Sequence, residues 1–348
     1  ILCGLSMILL FNVPDLAESA TTLYVAIALL LSATAYTIFN VPYLAMPAEM
    51  TSGYHERSVM MSYRVFAISV ATFVATSGGP ALLGLLQDHY GVNVRASYAV
   101  LGVVMGSIIA IAMTASFFFT RGAPATKAEV QKVSLRYKIN MLVSNKPFLL
   151  FLALKLLGLF GLAATLAAKF FFITYVMQQS LAIAGIFGIA SMVGQISSLP
   201  LWVRLSKLRG KKAVLLYSSL AQLCFTASWM LSGPEEPLAL YALRGLLLGI
   251  GGCGTLLGTQ AMLPDVMEYD YRRTGLRREG VFAGIASFIE KLAFALSGVM
   301  IGGFLSMMGF DSSLGVQGQS ETAIFGIIAC QALLPMATYA AKLVVLYF

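Results

Sequence analysis

The chain has 348 residues, of which 59% are hydrophobic and only 11% charged, with a mean hydropathy of +0.84. Soluble domains carry about 25% charged residues, so this composition excludes a water-soluble globule. The formal net charge of +8 invites a nucleic-acid partner, but the basic residues fall in connections between apolar runs, where topology accounts for them and no nucleic-acid partner is expected.

Ten apolar runs are predicted, all but the first about 20 residues or longer and so able to cross the hydrocarbon. They lie at roughly 1–12, 20–46, 60–87, 97–120, 148–177, 181–203, 213–232, 238–262, 281–308 and 322–347. The second run carries Tyr36, Asn40, Tyr43 and Pro47 at helical spacing, a polar seam on one face. Arg64 opens the third run, and Lys155 and Lys169 lie in the fifth. The eighth holds Arg244 near its outer end and a crowd of small residues, Gly245, Gly249, Gly251, Gly252, Gly254 and Gly258. Small residues at this spacing let helices approach closely. Glu290 and Lys291 lie about ten residues into the ninth run. The alternation that a β-barrel requires is absent, so the fold class is all-α and the protein is polytopic.

The connections alternate in charge. Basic ones lie at 47–59, 121–147, 204–212 and 264–280, and the others are nearly free of base. The positive-inside rule places the basic set in the cytoplasm. The basic stretch 121–147, with a possible amphipathic surface helix at 128–133, divides the chain into bundles at 1–120 and 148–348. Cys3, Cys224, Cys253 and Cys330 are scattered singly, and His55 and His89 are read in loops without a second ligand. Buried lone thiols and no metal site are expected.

One motif occurs twice. Ala45-Met46, Glu49 and Arg57 fall in register with Ala261-Met262, Asp265 and Arg273, each copy a connection between spans. Paired half-chains of this kind point to a transporter built by duplication. The first copy, with Asn40-Val41-Pro42-Tyr43, Glu49-Met50-Thr51, Glu56-Arg57 and Ser62-Tyr63-Arg64, resembles the fourth-to-fifth helix signature of the glycoside–pentoside–hexuronide:cation symporters. The second, with Leu263-Pro264-Asp265, Thr274-Gly275, Arg278-Glu279-Gly280 and Glu290-Lys291, resembles their tenth-to-eleventh helix signature. The stretch from Arg204 to Lys212 is similar to a superfamily motif between helices eight and nine.

The resemblance implies the major facilitator superfamily fold, with ten helices of a twelve-helix carrier present and two further helices expected upstream of Ile1. It implies cation-coupled symport of a small organic solute of the sugar, glycoside or uronate class by alternating access, in a multi-pass membrane protein (the inner membrane, if the source is bacterial) that acts as a monomer and is not an enzyme. No prosthetic cofactor is expected. Na⁺ or H⁺ would be the coupling ion, its ligands on the upstream helices. Asn40, Tyr43, Arg64 and Lys291 are the candidate substrate-binding residues. Glu49, Arg57, Asp265 and Arg273 are the candidate gating residues, forming ion pairs made in one state and broken in another. Melibiose carriers have an aspartate and a tryptophan where this chain has Asn40 and Leu44, which argues against a galactoside. An alternative is a sodium-coupled carrier of an amphipathic substrate such as a lysophospholipid. From other classes, a membrane sensor or an intramembrane enzyme remain, though no HExxH or GxSxG motif supports the latter. Lys155 and Arg244 are read as interfacial anchors, and Glu290 as a salt-bridge partner for another helix.

Overall fold

The structure is a computed structural model that describes residues 1–15, 17–51, 53–122, 144–179, 183–276, 278–316 and 318–347. The described residues form helices joined by short connections: α1 (Leu2–Phe11), α2 (Glu18–Met50), α3 (Tyr54–Phe73), α4 (Gly79–Gly84), α5 (Val94–Thr120), α6 (Lys146–Phe171), α7 (Ile183–Ala227), α8 (Leu238–Thr274), α9 (Glu279–Met307), α10 (Glu321–Ile328) and α11 (Leu334–Tyr347). Wider π turns at Val74–Gly78 and Leu85–His89 extend α3 and α4 into one span, and those at Phe172–Val176 and Ala329–Leu333 do the same for α6 and for α10 with α11. Among the described residues, eight helical stretches are long and apolar enough to cross a membrane. Helices suit that setting because every backbone group is paired within the segment. Most of the linker at 121–147, including the surface helix expected at 128–133, lies outside the described residues.

Several expected connections are helical. α2 continues through Pro47 to Met50, and α8 runs twelve residues past its predicted end to Thr274. The second copy of the repeated motif is therefore helix, not loop, and the connection of the first copy shrinks to the few residues before Tyr54. His55 likewise lies in the first turn of α3, and His89 ends a π turn. The basic stretch 204–212 is helical too, with one exception. Gly210 adopts φ 82° and ψ 172°, a backbone region open to glycine and strained for other residues.

Gly210 reverses the chain. Before it, Phe187, Ser191 and Trp202 lie beside Gly245, Gly249 and Gly254 of α8 in rising order. After it, Leu215, Ser218 and Gln222 lie beside Gly258, Gly254 and Gly251 in falling order. The first limb of α7 is thus parallel to α8 and the second antiparallel to it, which makes two spans of the 49-residue stretch Ile183–Leu231. With this division and the short α1, the helices match the ten predicted spans.

By contact the chain forms two compact units, Ile1–Met50 with Val74–Lys127, and Thr51–Phe73 with Ala128–Phe348. In the first unit α1 packs on α2 and α5, and Tyr24 closes one end by donating its hydroxyl to the Leu9 carbonyl at 2.8 Å. In the second, α8 is clasped by both limbs of α7, and α6 packs on α9 and α11. Lipid tails are as apolar as leucine, so membrane helices associate by close fit rather than by hydrophobic expulsion. The glycine seam of α8 supplies that fit: a Cβ at Gly249 would stand 2.2 Å from the Ser191 carbonyl oxygen. An aromatic cluster of Phe172, Phe187, Trp229 and Tyr241 fills the other end of this unit, with ring centroids 5.3–5.8 Å apart.

Candidate functional site

The C-terminal turns of α8 are the polar hub of the second unit. Asp265 and Glu268 are three residues apart and share one face of the helix, whereas Asp270 lies well round from Asp265. Asp265 and Glu268 consequently share a neighbour, and Asp270 reaches others. On the first face, Arg57 of α3 places Nη2 3.3 Å from Glu268 Oε2 and Nη1 3.6 Å from Asp265 Oδ1. The latter contact is Coulombic rather than a hydrogen bond, and Asp265 Oδ1 has no hydrogen-bond donor. Arg57 also donates Nε to the Thr51 carbonyl at 2.9 Å, which fixes the guanidinium plane.

Lys211, the residue after the Gly210 reversal, donates to Asp265 Oδ2 at 2.5 Å and to the Ala261 carbonyl at 3.0 Å. Pro264 brings no N–H to the α8 ladder, and the basic side chains gather where that ladder is interrupted. Arg272 completes this face by donating Nε to Glu268 Oε1 at 2.8 Å. On the other face, Asp270 accepts from Arg278 and, at 3.2 Å, from Asn145 Nδ2. Asn145 caps α6 through its Oδ1 and the Phe148 N–H, and Arg278 precedes α9. One helix end thus ties down the starts of α3, the second limb of α7, α6 and α9.

These pairs are enclosed. The side chains of Arg57 and Lys211 are 3% and 2% exposed, against 24% for Asp265. Removing one member would leave charge with little water, which is what makes buried pairs costly to break. A network of this kind holds helix ends together while complete and frees several of them when one carboxylate lets go.

Of the expected gating residues, the structure joins Arg57 to Asp265. Arg273 is exposed and makes no ion pair among the described residues, and its neighbour Arg272 is the one in the network. Glu49 is half-buried in the first unit. Glu268, Asp270 and Asn145 were not singled out from sequence, and Lys211 and Arg278 entered only as members of motifs, not as site residues. Their signal was partial, because Glu268 and Asp270 fall on faces of one helix with Asp265 only once α8 is seen to continue to Thr274.

Among the expected substrate residues, Asn40 is buried and Tyr43 half-buried in the first unit, where Tyr43 stacks on Phe39 at 5.4 Å. Leu44 is 2% exposed, so it offers no surface on which a ring could stack. In the second unit, Arg64 is half-buried and donates Nη1 to Gln260 Oε1 at 3.3 Å, and Lys291 is half-buried on α9.

Lys155 corrects the expectation of an interfacial anchor. It is buried and paired to Glu290 Oε2 at 3.2 Å, because α6 packs along α9 at that level and keeps the amine from the headgroups. Arg244 corrects the same expectation: its Nη1 lies 2.5 Å from Glu236 Oε1, with both side chains 10% exposed or less. Of the four thiols expected to be buried, Cys224 is exposed.

A family profile described as MFS/sugar transport protein matches residues 1–348. The putative glycoside/cation symporter YagG of Escherichia coli is 26% identical over 349 residues, covering 99% of this chain and 73% of that protein. The glucuronide carrier protein homolog of the same organism is 24% identical over 350 residues, at 99% and 73% coverage. The isoprimeverose transporter of Lactiplantibacillus pentosus is 21% identical over 323 residues, at 91% and 66% coverage. Among solved structures, the E. coli fucose:proton symporter FucP aligns with a TM-score of 0.62 and 11% identity, covering 98% of this chain and 81% of its own. A bacterial homologue of ferroportin in an outward-facing state aligns at 0.57 and 13% identity. These structural likenesses establish the fold.

Proposed function

Because the chain belongs to the MFS/sugar transport family, within the glycoside–pentoside–hexuronide:cation symporters, we propose that it carries a glycoside, pentoside or hexuronide across the membrane together with a cation. It is a multi-pass membrane transporter of the major facilitator fold and not an enzyme. The observation that carries the mechanism is the enclosed network at the end of α8, in which Arg57 and Lys211 share Asp265.

Alternating access needs contacts made in one state and given up in another. Arg57, Asp265, Glu268 and Lys211 act as such a latch, holding the starts of α3 and of the second limb of α7 against α8. Rupture releases both helices at once. Asp265 is the weak member, since one of its oxygens is held only at 3.6 Å. Arg273, exposed here, takes part in a state other than the one described, and Glu49 belongs to the same set of gating residues.

Asn40, Tyr43, Arg64 and Lys291 are the side chains proposed to contact the substrate. Arg64 offers a planar fork of donors suited to vicinal hydroxyls or a carboxylate, and Lys291 adds a point charge. Relatives named as carriers of glucuronides and isoprimeverose support a sugar or sugar acid over an amphipathic lipid. Asn40 and the enclosed Leu44 turn the choice away from galactosides. The coupling cation is Na⁺ or H⁺.

The test is uptake of radiolabelled glycosides, pentosides and hexuronides into proteoliposomes under an imposed Na⁺ or H⁺ gradient. Accumulation of at least one of them against its gradient is expected. Absence of any gradient-driven uptake would overturn the reading. With the transported sugar in hand, Lys291→Ala should reduce the initial rate at least tenfold.

A further inference from the structure

Lys342 lies in α11, in the interior of the second unit. Its side chain is 0% exposed, and among the described residues its Nζ has no hydrogen-bond partner. No ion pair among the described residues includes it. It faces Gly158 of α6, where an added methyl group would stand 3.5 Å from Nζ and 3.9 Å from Thr255 Cγ2 of α8. Thr255 is committed elsewhere, since it donates its hydroxyl to Ser218 Oγ at 3.1 Å.

The ionisable groups on the elements packed against α11 leave Lys342 alone as well. On α6, Lys155 is engaged by Glu290, Lys169 sits over the Phe187 ring at 3.3 Å, and Lys146 is exposed. On α7, Lys211 is engaged by Asp265, Arg209 donates to Tyr217, and Arg204, Lys207 and Lys212 are exposed. The π turn before α11 contributes Cys330, and α11 itself Tyr339, both of them neutral groups.

An ammonium in this position is shut off from bulk water and has no anion among the described residues, and desolvation of such a charge is not repaid. An unprotonated amine is a buried polar group with one missing hydrogen bond, a far smaller burden. The position therefore distinguishes protonation states by whether water reaches it.

We infer that the Lys342 amine is a proton-exchange site of the transport cycle, free of its proton in the packed state described here and protonated when α6, α8 and α11 part to admit water. The exchange is balanced: the Nζ lone pair takes a proton from hydronium on one side of the membrane, and the N–H bond breaks to return it to water on the other. A protonated Lys342 disfavours repacking of the three helices, so proton occupancy biases which state the carrier occupies. The inference rests on the symport reading above, and it narrows the coupling cation to H⁺.

Two measurements on the full chain test it, and they fail separately. In the first, the protein is labelled with 13Cε-lysine in detergent, and the Lys342 resonance is assigned from its absence in Lys342→Met. A neutral-amine shift at pH 8 is expected, and an ammonium shift there would overturn the inference whatever the sugar assays return. In the second, counterflow and uptake driven by a pH gradient are compared for the radiolabelled sugar found above. The ratio of driven uptake to counterflow should fall at least tenfold in Lys342→Met, and an unchanged ratio would overturn the inference. If no sugar is carried by the unsubstituted protein, the symport reading fails, while the resonance still decides whether Lys342 is neutral.

Discussion

The two units treat charge in opposite ways. In the first, Arg95 pairs with Asp15 at 2.8 Å, but the two side chains are 56% and 96% exposed, and no charged residue among the described ones is buried. In the second, Arg57, Lys155, Lys211, Arg244, Asp270 and Glu279 are all buried, and most share carboxylates among several helices. Water supplies what an exposed pair lacks, so such a pair is dispensable. An enclosed pair has no substitute, so it determines which helices stay together. The second unit is where the chain can store a conformational decision.

The contrast breaks first at Arg57. Arg57→Ala leaves Glu268 with Arg272 and Asp265 with Lys211 but cuts α3 from both carboxylates, and should lower the unfolding free energy in detergent by about 3 kcal/mol. If the loss proves negligible, the hub is not holding the unit. Gly249→Ala should follow at about 2 kcal/mol, because its Cβ would enter the Ser191 carbonyl and α7 and α8 would have to separate. Lys155→Met should cost about 1–2 kcal/mol, a value tempered by the 26% exposure of Glu290. Adding Glu290→Gln should recover part of that loss, and a double mutant worse than the sum would show that the two residues serve different partners.

Arg95→Ala in the first unit should leave the denaturation midpoint within experimental error. The smallest effect is expected at Asp311, in the connection between α9 and α10. Hydrogen bonds from the Ser313 hydroxyl and then from its N–H hold the Asp311 carboxyl below the usual carboxylate range. A depressed carboxylate contributes above its unfolded value and loses that contribution as pH falls through its folded one. Ser313→Ala should flatten a shallow acid-side slope in the pH–stability curve and change nothing at neutral pH. Asp311 belongs to the second unit, so a negligible effect there would show that exposure, not membership of a unit, decides what a charge is worth.

Spans were legible in the sequence because hydropathy averages over a whole crossing, and Arg57 with Asp265 was legible because the motif is written twice in register. Helix ends were not. Hydropathy falls where a span leaves the hydrocarbon, at Pro264 for α8, whereas the hydrogen-bond ladder continues to Thr274. Residues 264–280 consequently read as a loop, and the separate reach of Glu268 and Asp270 went unseen. Lys155 and Arg244 were read as anchors because position along a helix was taken for depth, without the neighbouring helix that encloses each. Lys342 was missed for a related reason: one lysine barely changes the mean of the apolar run around it, and only packing shows that it has nowhere to snorkel. Which of Asn40, Tyr43, Arg64 and Lys291 meet a sugar is not written in periodicity, because a polar seam looks the same whether it faces a ligand or another helix.

Gly210 also constrains how the protein is made. With a single residue between them, the limbs of α7 have no slack for one to enter the bilayer while the other waits outside. Insertion of the two limbs together is the expectation, and the positive-inside rule would put the exposed Arg204, Lys207, Arg209 and Lys212 around the bend on the cytoplasmic face.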